Sequence, residues 1–191
     1  MVRSFIAVNL AAGVVERLNA LRRELSALDA DVRWVREEGL HCTLKFLGEV
    51  EEPRLAEIEA VLRAALASVR AFPVRSRGVG VFPSWREPRI VWAGLQDGDA
   101  AQGIVALARE IEAAVEPLGF AREKRALHPH VTLGRVRSKK GWKAVEQRMR
   151  AEAGTDFGVS RTEQVVLYRS QLGRGGSVYS PLAIVALAPG A

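Results

Sequence analysis

The sequence predicts an α+β fold with mostly antiparallel sheets, built as two related lobes. Stretches with helical spacing alternate with pairs of strand-like stretches rather than with single strands, which argues against a doubly wound parallel sheet. A four-residue phrase is also spelled twice, as His41-Cys42-Thr43-Leu44 and His130-Val131-Thr132-Leu133, nearly half the chain apart. The chain has only three histidines and four threonines, so the repetition points to an ancient duplication and pseudo-two-fold lobes. The rest of the two halves shows little self-similarity, and the duplication rests on these phrases. With 191 residues and 48% hydrophobic residues, a single bilobal domain over 1–191 can bury a core.

The elements follow in order. Ser4 to Leu10 is a strand by its apolar run. Val14, Leu18, Leu21, Leu25 and Leu28 then recur at three and four residues and make one stripe of a helix. A short strand over Asp31–Val35 and a turn at Glu37-Glu38-Gly39 lead into a strand from His41 to Gly48. Pro53 suits the first turn of a second helix, whose stripe is Leu55, Ile58, Leu62, Ala65 and Val69. Strands at Val74–Phe82 and Arg89–Leu95 flank a loop, Pro83 to Pro88. Asp97-Gly98-Asp99 can turn and cap a third helix with stripe Ile104, Leu107, Ile111, Val115 and Leu118, closed by Gly119. Pro129 precedes a strand over His130–Val136, and a weaker helix runs from about Lys140 to Ala153. Strands at Thr162–Leu172 and Val178–Leu187, joined by Gly173-Arg174-Gly175-Gly176, finish the chain as a hairpin.

Composition narrows the function classes. No apolar run reaches membrane-spanning length, and the first residues read as a strand rather than a signal peptide, so a cytoplasmic protein is expected. The single cysteine, Cys42, allows no internal disulfide. Net charge is +6, but arginine outnumbers lysine 23 to 5 among abundant alanines, so part of that excess is compositional bias. Its placement is more informative. From Arg122 to Arg150 ten basic residues face two acidic ones, and the second phrase lies inside that segment. Such a field attracts phosphates.

Each phrase alternates polar and apolar residues, so each sets a histidine and a threonine on one strand face. Histidine titrates near neutral pH, and a pair can divide the work of base and acid in one displacement at phosphorus. Threonine hydroxyls can donate to phosphate oxygens. One such phrase reads best as an ordinary half-buried strand; the repeated pair, with its shared leucine, reads as a site. A metal site is disfavoured because no Cys-x-x-Cys or His-x-x-x-His spacing occurs, and no cofactor is expected. His128 shares parity with His130 but lacks a following threonine, which marks it as structural or peripheral to the cleft. Cys42 points away from the cleft by parity and reads as a small core residue. Trp34, Trp85, Trp92 and Trp142 read as core or loop anchors.

The longer contexts resemble one family. Leu40-His41-Cys42-Thr43-Leu44-Lys45-Phe46-Leu47-Gly48-Glu49-Val50 resembles the first motif of the two-histidine (2H) phosphoesterases, more narrowly of the RNA 2′,3′-cyclic phosphodiesterase branch, long called 2′-5′ RNA ligases. His128-Pro129-His130-Val131-Thr132-Leu133-Gly134-Arg135 resembles that branch's second motif. Arg3 to Val8, Tyr168-Arg169-Ser170 and Val178 to Leu182 are similar to it as well. The resemblance implies a bilobal fold with two antiparallel sheets facing across a central cleft and helices outside. It implies metal-independent opening of a 2′,3′-cyclic phosphate to a 2′-phosphate, with His41 as proton donor and His130 as proton acceptor. Thr43 and Thr132 match its phosphate-binding hydroxyls, Phe46 a position that stacks on the terminal base, and Arg135 one that meets phosphate. In unbroken strands Phe46 and Arg135 have the wrong parity for the cleft, so a bulge, strand end or twist is required. The expected partner is an RNA end or a small cyclic nucleotide, with no membrane and no obligate protein partner. Reversible 2′-5′ ligation in the same cleft, or RNA-end binding without turnover, are the rival readings.

Overall fold

The computed structural model describes residues 1–97, 103–173 and 176–190. Nine strands form two sheets, and every pair of neighbouring strands runs antiparallel. The first sheet has the order β3-β1-β8-β9, from β1 (Val2–Asn9), β3 (His41–Val50), β8 (Gln164–Gly173) and β9 (Gly176–Ala186). The second has the order β2-β6-β5-β4-β7. It is built from β2 (Val32–Trp34), β4 (Phe72–Pro83), β5 (Pro88–Asp97), β6 (His130–Val136) and β7 (Asp156–Thr162).

The lobes are not the two halves of the chain. β1 and β3 pair with each other, and so do β5 and β6, but one later strand of each half crosses over. β4 leaves the first half to pair with β5, and β8 leaves the second half to pair with β1. The helices cross as well. α1 (Ala12–Ser26) packs on β7 of the second sheet, where the Arg17 Nε donates to the Phe157 carbonyl at 2.6 Å. α3 (Ile104–Val115) packs on β3 of the first sheet, and α2 (Arg54–Leu66) lies against α3 and β9. α4 (Trp142–Ala151) backs β4.

The helical stripes account for this packing. Val14, Leu18, Leu21 and Leu25 of α1 are buried, as are Ile58, Leu62 and Leu66 of α2 and Ile104, Leu107, Ile111 and Val115 of α3. Three expectations are corrected. α1 ends at Ser26, so Leu28 packs on the core from the following turn. β7 lies between the expected helix and the strand expected from Thr162, where the pattern marks no element, because its inward positions include Ser160 and Thr162 and it bends at Gly158 with φ +107°. Thr162 therefore ends β7, and Glu163 alone separates it from β8 as the chain passes from one sheet to the other. At the third helix the residue before Ile104 is Gly103, with no side-chain cap; Asp97 ends β5, and Gly98 and Asp99 lie outside the described residues. Gly119 closes the following 3-10 turn in the left-handed region, φ +89°, as its position suggested. β8 and β9 pair as far as Gly173 opposite Gly176, while Arg174 and Gly175 lie outside the described residues.

Candidate active site

The two phrases open the two motif strands, β3 and β6, which belong to different sheets and pack against each other at the centre of the molecule. In both, alternation holds through the threonine. His41 and Thr43 are half-buried on one face while Cys42 and Leu44 are buried on the other; His130 and Thr132 repeat this against Val131 and Leu133. Then both strands break register at the same residue of the phrase. On β3, Thr43 pairs with Ala7 and Lys45 with Ile6, so Leu44 is the extra residue. On β6, Thr132 pairs with Trp92 and Gly134 with Val91, so Leu133 is the extra residue. A bulge places two successive side chains on the core face and reverses parity beyond it. Leu44 and Lys45 are accordingly both buried, as are Leu133 and Gly134, and Phe46 and Arg135 emerge exposed. The shared leucine of the phrase is thus the bulge that carries the two wrong-parity residues to the cleft face.

The imidazoles are held alike. The Nδ1 of His41 lies 2.9 Å from the Gly39 carbonyl, and that of His130 lies 2.7 Å from the His128 carbonyl. A carbonyl only accepts, so each Nδ1 donates, and each neutral ring leaves Nε2 as its free acceptor. In both cases the carbonyl belongs to the residue two positions before the histidine. Burial pushes His41 from 6.5 down to about 4; the Gly39 bond works against this and the charge of His130 adds to it. Burial also lowers His130, against the bond to His128 and with help from the charges of His128 and Arg135. The electrostatic coupling of His41 with His130, and of His130 with Arg135, puts all three in one field. The hydroxyls of Thr43 and Thr132 have no partner among the described residues.

Aromatic rings line both walls, and sequence reasoning missed most of them. Phe5 stacks on His41 at 4.9 Å, and Tyr179 meets the same ring edge-on at 5.0 Å. Phe5 also stacks on Tyr168, whose hydroxyl donates to the Asn9 Oδ1 at 3.0 Å. Phe46 is 61% exposed at the edge of this group, 6.2 Å from Phe5, with a free face. Across the cleft, Phe82 stands edge-on to both His128 and His130, and Trp92 to His128. Trp92 is therefore a wall residue beside the histidines rather than a core or loop anchor. Trp85 does anchor its loop, with Trp142 at 6.4 Å and Arg150 over its ring. His128 lies at the rim, exposed, and contributes its carbonyl. Tyr168 and Tyr179 are the only two tyrosines, but strand parity alone does not separate a cleft face from a core face in a chain that buries both.

One family model, described as LigT like Phosphoesterase, matches the chain twice, over residues 8–92 and 95–179. The chain belongs to the LigT-like phosphoesterases. One motif strand lies in each match, which agrees with the duplication suggested by the repeated phrase. Among the relatives, a Methanothermobacter thermautotrophicus protein named RNA 2′,3′-cyclic phosphodiesterase is 33% identical over 97% of this chain and 99% of its own. One of the same name from Aeropyrum pernix is 34% identical over 88% and 94%. In structure, a Thermus thermophilus protein matches at a TM-score of 0.81 with 27% identity, covering 98% of each chain. Escherichia coli LigT complexed with 3′-AMP matches at 0.75 with 26% identity, over 97% of this chain and 98% of that one. This LigT-like chain shares the α+β bilobal fold of those structures, and no helix among its described residues is long and apolar enough to cross a membrane.

Proposed function

We propose that this LigT-like chain hydrolyses RNA 2′,3′-cyclic phosphate ends to 2′-phosphates by paired histidine acid–base catalysis. The observation that carries the reading is the matched pair of imidazoles on two motif strands packed against each other, each tied through Nδ1 to a backbone carbonyl so that Nε2 is left as acceptor. The names borne by the relatives supply the substrate class. Water attacks phosphorus as His130 Nε2 takes its proton. The bond from phosphorus to the 3′ oxygen breaks, and His41 Nε2 gives that oxygen its proton. A 2′-phosphomonoester and a 3′-hydroxyl result, and solvent returns the two histidines to their starting states. The Thr43 and Thr132 hydroxyls donate to the non-bridging oxygens, where charge builds in the transition state. Phe46 offers its open face to the terminal base. Arg135 adds positive charge next to His130.

The histidine assigned as acid is neutral in the free protein near pH 7, since it is held at about 4. The bound phosphate anion favours its uptake of a proton from solvent, because an opposite charge at close range stabilises the imidazolium. The test is turnover of an oligonucleotide ending in a 2′,3′-cyclic phosphate, in the presence of EDTA. A 2′-phosphate product is expected. A 3′-phosphate product, or loss of activity on chelation, overturns the reading.

A further inference from the structure

Beyond Thr132 the cleft face of the second sheet carries two guanidiniums side by side. Arg33 of β2 pairs directly with Arg135 of β6, between Val32 opposite Val136 and Trp34 opposite Gly134. Val32 and Trp34 turn to the core: a Cβ on Gly134 would meet the Trp34 ring at 2.8 Å and Val32 Cγ1 at 2.9 Å. Arg33, between them, therefore faces the other way, toward the side that the Leu133 bulge gives to Arg135. Both are exposed, and neither guanidinium shares an ion pair or hydrogen bond with another described residue. Like charges directly opposite on antiparallel strands repel.

Part of the surrounding basic segment already has its charge compensated. Arg122 is paired with Glu116, Lys139 with Glu87, Arg148 with Glu24 and Arg150 with Glu146. The Arg33–Arg135 pair has no carboxylate among the described residues, yet it lies on the face that carries His130 and Thr132. Arg33 also reaches toward the first lobe. A Cβ on Gly176, where the β8–β9 hairpin turns at φ +130°, would lie 3.5 Å from its Nη2. With one residue absorbed by the bulge, Thr132 and Arg135 are separated by about 7 Å of strand, two extended steps. A phosphate bridging both guanidiniums is therefore displaced along the strand from the one that Thr132 meets.

We propose that Arg33 and Arg135 together bind the internucleotide phosphate on the 5′ side of the terminal nucleotide, so that the site takes oligonucleotide ends in preference to cyclic mononucleotides. The proposal rests on the cyclic phosphodiesterase reading and says which of its substrates the cleft is built for. A 2′,3′-cyclic mononucleotide has no such phosphate and leaves the pair uncompensated. An oligonucleotide supplies one anion to two planar forks, the geometry in which guanidinium binds phosphate best.

The test compares kcat/KM of the full chain on a 2′,3′-cyclic mononucleotide and on a short RNA with the same terminal nucleotide and cyclic phosphate. Arg33→Gln is expected to lower the ratio of oligonucleotide to mononucleotide kcat/KM about tenfold, the scale of one lost charged hydrogen bond. Arg33→Lys should recover part of it, and Arg109→Gln, an exposed arginine on α3, should leave the ratio where it was. The fall of log kcat/KM with log salt should become shallower for the oligonucleotide by about 0.7, one single-strand phosphate contact. Because the readout is a ratio, any loss of folded protein cancels. An unchanged ratio in Arg33→Gln overturns the subsite while hydrolysis itself stands. Wild-type protein that turns over neither substrate removes the hydrolysis reading and this proposal with it.

Discussion

At the residue scale the two histidines are alike in anchoring but not in surroundings. His41 sits under Phe5 and beside Tyr179, and is held at about 4; His130 has Phe82 at its edge and the charge of Arg135 nearby. Replacing either by alanine should lower turnover about 10² or more, the usual scale for a lost acid or base. Near-normal rates in both variants would end the two-histidine mechanism. The assignment of donor and acceptor has its own test. A cyclic substrate with sulfur in place of the 3′ oxygen leaves without needing a proton, so His41→Ala should lose far less activity on it than on the oxygen substrate. His130→Ala should lose about as much on both. The reverse pattern would exchange the roles. Both rings are lowered, so the free protein at pH 7 holds both neutral, whereas catalysis needs one of them charged. The kcat/KM profile should therefore peak on the acid side of 6.5. Stability moves the opposite way. A histidine that is lower in the folded chain than in the unfolded one stabilises fully above 6.5 and progressively less as pH falls toward about 4. Chemical denaturation across that window should show the loss, and His41→Gln should make it smaller, with the part due to His130 remaining.

At the element scale the shared leucine does more than fill the core. As the bulge in both motif strands it decides which of the next residues reach the cleft, and it leaves two successive residues buried. On β6 the second is Gly134, and only glycine fits there. Gly134→Ala should cost about 1–3 kcal/mol, read from the denaturation midpoint, because its methyl meets Trp34 and Val32. On β3 the second is Lys45, 2% exposed, and its ammonium donates to Glu112 of α3 at 3.0 Å and to the Ala121 carbonyl. Burial works to raise the Glu112 carboxyl, but the bonds from the Glu123 N–H and from Lys45 outweigh it and hold the group below its ordinary value. The pair fastens the first motif strand to the segment that leads into the second. Lys45→Met should cost about 1–3 kcal/mol, read from the denaturation midpoint, because Glu112 then keeps the Glu123 N–H but loses its charged donor, and adding Glu112→Leu should recover part of the loss. These elements also mark where the sequence was legible. Helical stripes and the alternation through His-x-Thr follow from spacing alone. The need for a bulge before Phe46 and Arg135 followed from parity, but not its place, because Leu44 and Leu133 look like any core leucine. β7 was illegible because Ser160 and Thr162 take inward positions that pattern reading reserves for apolar residues.

At the scale of the whole molecule the crossed connections turn two lobes into one folding unit. The first sheet joins β1 and β3 from the beginning of the chain to β8 and β9 from its end, while the second lobe draws α1 and β2 from the beginning. Neither lobe is contiguous, so neither can keep its sheet if the other is lost. The repeat seen in the sequence is therefore not a pair of contiguous domains; it survives as the matching of the two motif strands, while β4 and β8 each pair within the sheet of the other half. This predicts one cooperative unfolding transition, and the chain carries its own probes for it. All four tryptophans lie in the second lobe, with Trp34 on β2, Trp85 in the loop after β4, Trp92 on β5 and Trp142 on α4. Both tyrosines lie in the first sheet, Tyr168 on β8 and Tyr179 on β9. Tryptophan emission then reports one lobe, and the hydrogen-exchange protection of β1, β3, β8 and β9 amides reports the other. In a denaturant series the two should give the same midpoint and the same slope. A fragment ending at Leu95, which keeps β1 and β3 but loses β6, β8 and β9, should show neither signal. Separated midpoints, or a fragment that keeps its tryptophans buried, would mean that the lobes fold independently and meet only afterwards at the cleft.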